Sequence, residues 1–263
     1  MVAAWFYFRD ELLQFSARIP ELAEIEKQVT SPPPLRGPEV APVSKLTRSG
    51  VFQWTNLSRE QNGVAGLKQN AILDRAAEAK VQDMFQVQYF AHVSPAGKDA
   101  GDFARAASYP FISIGENLAL GNYRDDQDLV QAWLDSPGHR ANILNLGYEE
   151  IGIAVARGVF EGKTTWLAVQ IFGRPLSACP QPDQSLKTQA ETDKQQLAAR
   201  EQELTARRAE IEELKQERGP EYRQKVEEYN TLVQEYNNLV SKTKAVIEEY
   251  NRQVNLTNQC ITS

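Results

Sequence analysis

The sequence predicts an α+β protein in which a layered domain of helices and antiparallel strands precedes a long helical hairpin. Three observations carry this. Helical, alanine-rich periodicity from Phe52 gives way to strand-like runs between Ile112 and Phe172. Proline, frequent up to Pro182, is then absent as far as Asn258 except at Pro220. From Ser185 onward apolar residues recur on a heptad, the pattern of helices packed along a seam.

With 263 residues, 41% of them apolar, the chain can bury a real core. A net charge of -6 and a pI near 5.2 argue against a sequence-independent hold on nucleic acid or on acidic lipid. There is no apolar run of membrane-spanning length. The start, Met1 to Phe8, is nevertheless apolar and aromatic. It reads either as the end of a membrane helix that begins upstream, an N-terminal anchor, or as a helix packing on the body. Residues 1–29 are thus expected to be an amphipathic or membrane-proximal segment, with Leu12, Leu13, Phe15, Ile19, Leu22 and Ile25 at helical spacing. The prolines of Ser31 to Pro34, with Pro38 and Pro42, predict a semi-rigid linker over residues 30–49.

Residues 50–176 form the expected layered domain. Leu57, Val64 and Leu67, then Ile72, Leu73, Ala76, Ala77, Val81, Met84 and Phe85, give helices with closely packing faces. Pro95 and Gly97 end the second, leaving His92 just past its C-terminus, and a short third helix covers Asp99 to Ala107. Ile112 to Ala119 reads as a strand and Asp125 to Asp135 as a helix that stops at Ser136-Pro137. Ile151 to Val155 and Thr164 to Phe172 are strands joined as a hairpin through Gly158 to Gly162.

Residues 177–263 are expected to form the hairpin. Tyr222, Tyr229, Tyr236 and Tyr250 share one heptad position, and Val226, Val233, Val240, Ile247 and Val254 the other. Upstream, Leu186, Ala190, Leu197, Leu204, Ile211 and Leu214 are in phase, with Arg200 and Arg207 intruding. Gly219-Pro220 suits a break between two helices. Folding there pairs Leu204 with Tyr236 and Ile211 with Tyr229. It also joins the two cysteines, since Cys179 lies as far before Gly219 as Cys260 lies after Pro220. A Cys179–Cys260 disulfide at the base follows, and with it an oxidising, extracytoplasmic compartment. The alternative is one helix continuing through Pro220 into a parallel dimer, with the cysteines paired elsewhere.

The only two histidines, His92 and His139, lie in separate segments, unlike the one-turn spacing of a helical zinc motif. Two imidazoles and a carboxylate meeting in a cleft can hold a divalent cation or act as an acid–base set.

Phe90-Ala-His92-Val-Ser94-Pro95, Gly115-Glu116-Asn117-Leu-Ala119 and Trp133-Leu-Asp-Ser136-Pro-Gly-His139-Arg-Ala-Asn142 sit between Asn56-x-x-Arg59 and the strands Ile151-Gly-Ile and Trp166 to Phe172. In this order they resemble the CAP superfamily of cysteine-rich secretory, antigen five and pathogenesis-related proteins, in its bacterial branch, over residues 52 to 173. The resemblance implies a three-layer α-β-α sandwich. It also implies a cleft of two histidines and two acids, whose histidines hold zinc or another divalent ion in some members. His92, Glu116 and His139 match that set. The second acid falls on Ser136, and Asp135 is a poor substitute, turned about 100° away on its helix. Asn117, Ser136, Arg140 and Asn142 are expected to support the cleft, and Ser94 lies nearby.

With one carboxylate missing and no evident nucleophile, the expectation is an extracytoplasmic ligand- or envelope-binding module, secreted or anchored at the cell surface. Its metal ligands would be His92, His139 and Glu116. The hairpin would meet an envelope component or a protein partner. The alternative is a metal-dependent hydrolase or peptidase with Glu116 as catalytic base.

Overall fold

The structure, a computed structural model, describes residues 28–39, 45–216 and 218–262. The expected N-terminal helix and anchor lie outside the described residues up to position 27. Among the described residues no helix is long and apolar enough to cross a membrane. Chain contacts divide the described residues into two units, 28–178 and 179–262.

The first unit is a three-layer sandwich around one sheet. Its strands are β1 (Gln28–Thr30), β2 (Leu35–Arg36), β3 (Lys68–Gln69), β4 (Phe111–Gly121), β5 (Glu150–Phe160) and β6 (Lys163–Pro175). β4, β6 and β5 are antiparallel neighbours, β3 adds in parallel to β5, and both β1 and β2 pair in parallel with the outer edge of β4. The β5–β6 connection is the two-residue turn Glu161-Gly162, both at positive φ, the twist that suits a tight hairpin. The strands therefore run on through Gly158.

Alternation along the strands builds two apolar layers. Ile114, Leu118, Val169 and Ile171 face α2 (Ala71–Val87) and α3 (Ala100–Ala106). Ala119, Ala168, Phe172 and Ile153 face α1 (Arg48–Gln61), α4 (Asp126–Asp135) and α5 (Pro137–Ile143). Four of these five helices start where the sequence supplies a cap: the side chains of Thr47, Asn70, Asp99 and Asp125 accept backbone N–H groups of the first turn, while α5 opens on Pro137.

The proline-rich stretch departs from the expectation of a linker. Val29 packs on the α2 side and Leu35 on the α1 side, and the segment 28–39 lines the edge of β4. Prolines have no N–H to donate, so residues 31–34 leave the ladder without stranding donors and rejoin it at Leu35.

The second unit is the antiparallel pair α6 (Gln184–Glu213) and α7 (Pro220–Thr262), closed by the Cys179–Cys260 disulfide. Proline occupies the first position of α7, where no donor is needed. Leu197, Leu204, Tyr236 and Val240 form the seam core, with Tyr229 and Val233 packed against it. Arg200 leaves the seam to pair with Glu235, and Arg207 pairs with Glu203 and Glu210 of its own helix.

Candidate functional site

β4 carries two fully buried polar residues side by side, Glu116 and Asn117. Successive strand residues point to opposite faces, so Glu116 joins the α2 layer and Asn117 the α4–α5 layer. The site is thus built on both sides of one strand.

On the first side, the loop after α2 brings His92 to Glu116, Nδ1 to Oε1 at 2.6 Å. The other ring nitrogen, Nε2, donates to the carbonyl of Pro32. Behind this pair lies Lys80, with no exposed surface, donating to the carbonyls of Ala91 (2.9 Å) and His92 (2.7 Å). Burial pulls the Lys80 pKa below its ordinary value against the opposing field of Glu116, Asp83 and Asp99. Lys80 fixes the loop, and the loop fixes His92. Ser94 belongs to the same loop and accepts the Lys98 N–H.

On the second side, Asn117 Nδ2 donates to the His139 carbonyl (3.2 Å) and to Gln170 Oε1 (3.1 Å). Asn142 Nδ2 lies within reach of Asn117 Oδ1 (3.1 Å), the Glu116 carbonyl (3.1 Å) and the Thr30 carbonyl (3.3 Å). Gln170 Nε2 continues to Thr55 Oγ1 at 2.8 Å. This network of buried amides holds α5 against β4.

His139 itself is 1% exposed; its Nδ1 meets Ser136 Oγ at 2.7 Å, and Nε2 has no hydrogen-bond partner among the described residues. Burial, with a smaller repulsion from His92, pulls its pKa down to about 4, so the ring is neutral at neutral pH.

The structure therefore brings together His92 with Glu116 and His139 with Ser136, as two pairs rather than one triad. Of the residues expected to support the cleft, Asn117 and Asn142 lie in this amide network, whereas Arg140 is exposed and donates to Asn62 Oδ1 (2.9 Å). Asp135 accepts from Gln131 on an exposed face, away from the histidines. The motif residues outside the cleft are structural. Asn56 exchanges hydrogen bonds with the Leu67 backbone, and buried Arg59 donates to the carbonyls of Ala65, Ile143 and Asn145, tying α1 to the end of α5.

Reading the sequence missed Lys80, Gln170 and the Pro32 and Thr30 carbonyls. The first two carry a visible signal. Lys80 interrupts the apolar face Ala76–Ala77–Met84, and Gln170 sits inside the otherwise apolar strand Leu167 to Phe172. A backbone carbonyl has no signature of its own.

Two imidazoles and a carboxylate are donors that suit zinc. His139 feels the field of His92, yet the three are not gathered as a ligand set. Among the described residues no three His, Cys, Asp or Glu side chains are placed to hold an ion, and both nitrogens of His92 are engaged. As arranged, the residues do not fit a metal.

Residues 52–172 match the family model described as CAP, the cysteine-rich secretory protein family. The chain is 32% identical over 151 residues to the uncharacterized protein YkwD of Bacillus subtilis, covering 57% of this chain and 54% of that one. It is 31% identical over 115 residues to the uncharacterized membrane protein YlbC of the same organism, covering 44% and 33%. The chain thus spans about half or less of the length of these relatives. An extracellular protein containing a SCP domain from Bacillus anthracis aligns at 30% identity and a TM-score of 0.42, over 48% of this chain and 40% of that one. The motif order and the family match agree that residues 52–172 are a CAP domain.

Proposed function

We propose that the chain is an extracytoplasmic binding module of the CAP superfamily, whose cleft holds a ligand rather than cleaving one. The observation that carries this reading is the His92 pair. Both ring nitrogens face an acceptor, Glu116 Oε1 at Nδ1 and the Pro32 backbone carbonyl at Nε2, so neither is free to serve as a base. Such a group recognises a carbonyl; it does not attack one.

The chemistry of the neighbours supports the same reading. Both cysteines are used in the disulfide. His139, with its pKa down to about 4, is a weak base at neutral pH. The position of the family's second acid is Ser136, which pairs with His139. Nothing in the comparisons favours the hydrolase reading with Glu116 as base. The disulfide supports an oxidising compartment at the cell surface or beyond it. On this reading a divalent ion at His92 and His139 belongs to a form from which Pro32 has withdrawn, and the hairpin is free to meet a partner of the envelope.

The test is turnover. The full chain, with and without zinc, is incubated with broad panels of peptides and esters beside Glu116→Gln and His92→Ala. Equal, background rates in all three are expected. Cleavage by wild type that both variants lose would overturn the proposal. Calorimetric titration of zinc into wild type and His92→Ala/His139→Ala then shows whether the histidines take metal; equal heats would remove the ion from the reading.

A further inference from the structure

The edge of β4 is not free: the chain's own residues 28–39 lie on it as a peptide lies in a groove. Gln28, Val29 and Thr30 pair with Ser113, Ile114 and Gly115, and Leu35 and Arg36 pair with Ala119 and Leu120. Gly37 N–H donates to the Leu120 carbonyl at 2.8 Å, and Asn122 N–H to the Pro38 carbonyl at 2.7 Å. The side chains of the site reach the segment only through its main chain, Asn142 to the Thr30 carbonyl and His92 to the Pro32 carbonyl.

Side chains supply a pattern on top of this. Pro32 is buried while Ser31 and Pro33 on either side are exposed. Its seat is made by Gly138, where an added Cβ would stand 2.5 Å from the Pro32 Cβ. Val29 packs into one apolar layer and Leu35 into the other. The anchors are thus spaced by three: Val29-x-x-Pro32-x-x-Leu35.

We propose that the β4 edge between His92 and Gly138 is a binding groove for an extended peptide of another polypeptide. The peptide carries an aliphatic residue, a proline three residues later and an aliphatic residue three further on, and residues 28–39 occupy the groove in cis as its resident competitor. Main-chain pairing along a strand edge supplies affinity in such recognition, and pockets for spaced side chains supply specificity. The resident strap is held by less than the sheet's own strands: five of its residues are in register with β4 and Gly37 and Pro38 add one hydrogen bond each, whereas ten positions join β4 to β6. Tethering raises its effective concentration to about the millimolar range, so a competing peptide must be concentrated, or the strap weakened, before exchange is seen. This inference rests on reading the cleft as a binding site and names its ligand class.

The probe is a fluorescein-labelled peptide with the sequence of residues 28–39, followed by anisotropy against the full chain. Val29→Asp/Leu35→Asp weakens the strap while leaving the groove intact. This variant should bind the probe at least tenfold more tightly than wild type. A probe with aspartate in place of the central buried proline should not bind. Adding Gly138→Val to the strap variant should abolish binding by filling the proline seat. A strap variant that is folded by circular dichroism yet binds no better than wild type would overturn the proposal. So would tight binding that Gly138→Val leaves unchanged. A dimer forming by strap exchange as concentration rises would give the groove to a second copy and overturn the partner peptide.

Hydrogen exchange on wild type is independent of any variant. The amides of Val29 and Thr30 should exchange much faster than those of the β4–β6 ladder, and equal protection would show a strap that never leaves. Mass spectrometry of the probe separates the two readings. A probe bound and intact supports both, and a probe bound and cut overturns the non-catalytic module while leaving the groove. No binding overturns the groove alone.

Discussion

The sheet unit of residues 28–178 and the hairpin of residues 179–262 are held together by different physics. The first depends on pairings between distant segments and on buried polar groups that have no water to fall back on. Lys80, Arg59, Glu116 and Asn117 are at most 1% exposed there. The second is a narrow apolar seam between two charged helices, with one covalent link at its base. The difference teaches where each is vulnerable: the hairpin at a single bond, the sheet unit at any one of several polar side chains. The two can be followed separately. Three of the four tryptophans, Trp54, Trp133 and Trp166, lie in the sheet unit, while helical circular dichroism is weighted towards the hairpin's two long helices.

The largest effect is expected at the disulfide. Cys179→Ser/Cys260→Ser opens a loop of sequence separation 81. On the chain-entropy model this removes about 4 to 5 kcal/mol from the hairpin. Urea unfolding read by circular dichroism should shift strongly, while the tryptophan transition stays in place. Coincident shifts would break the comparison and show one cooperative unit.

Next is Arg59→Met in the sheet unit. The guanidinium satisfies three carbonyls from two segments, and burial holds its pKa below the ordinary arginine value. Methionine fills much of the volume and leaves those acceptors unpaired, at a cost of about 3 kcal/mol. Here the tryptophan transition should move and the hairpin signal should not.

Acid should act on the same unit. His139 has a folded pKa of about 4 against an ordinary 6.5. The unfolded chain therefore binds a proton on this ring more readily than the folded chain does. The stabilisation from keeping it neutral is complete above about pH 6.5 and is lost as pH falls towards 4, on the order of 2 to 3 kcal/mol in all. Urea midpoints by tryptophan fluorescence should fall between pH 7.5 and 4.5, and less so in His139→Asn. The same slope in both proteins would place the acid sensitivity elsewhere.

The two units also differed in how far their sequences could be read. The hairpin was legible down to its disulfide, because a heptad is local and two cysteines allow one intramolecular bridge. The sheet unit was legible in its helices, its three long strands and its motif residues. Two things were not. The strap is proline-rich, and proline's missing N–H is as compatible with a linker as with an edge segment that leaves the ladder for four residues. Its place depends on Gly138 and His92, far along the chain. The pairing within the site was also hidden. Strand alternation at Glu116-Asn117 sends the two side chains to opposite layers, so the histidines serve two pairs, and Ser136 stands beside His139 where resemblance leads one to look for an acid.

The smallest effect sharpens the comparison most, because it concerns one of the two arginines that intrude on the hairpin seam. Arg200 occupies a seam position yet points away to Glu235, at 2.5 Å, with both side chains substantially exposed. A surface pair of this kind contributes no more than about 1 kcal/mol. Leucine at the same position would cover the seam between Leu197 and Leu204, and burying a leucine is worth about 2 kcal/mol at most. Arg200→Leu should therefore stabilise the hairpin by about 1 kcal/mol, raising its circular dichroism midpoint and leaving tryptophan fluorescence unmoved. Glu235→Ala alone should cost less than that. Destabilisation by Arg200→Leu would mean that the arginine is held at the seam by more than its partner, and that charge rather than apolar burial sets the register of the two helices.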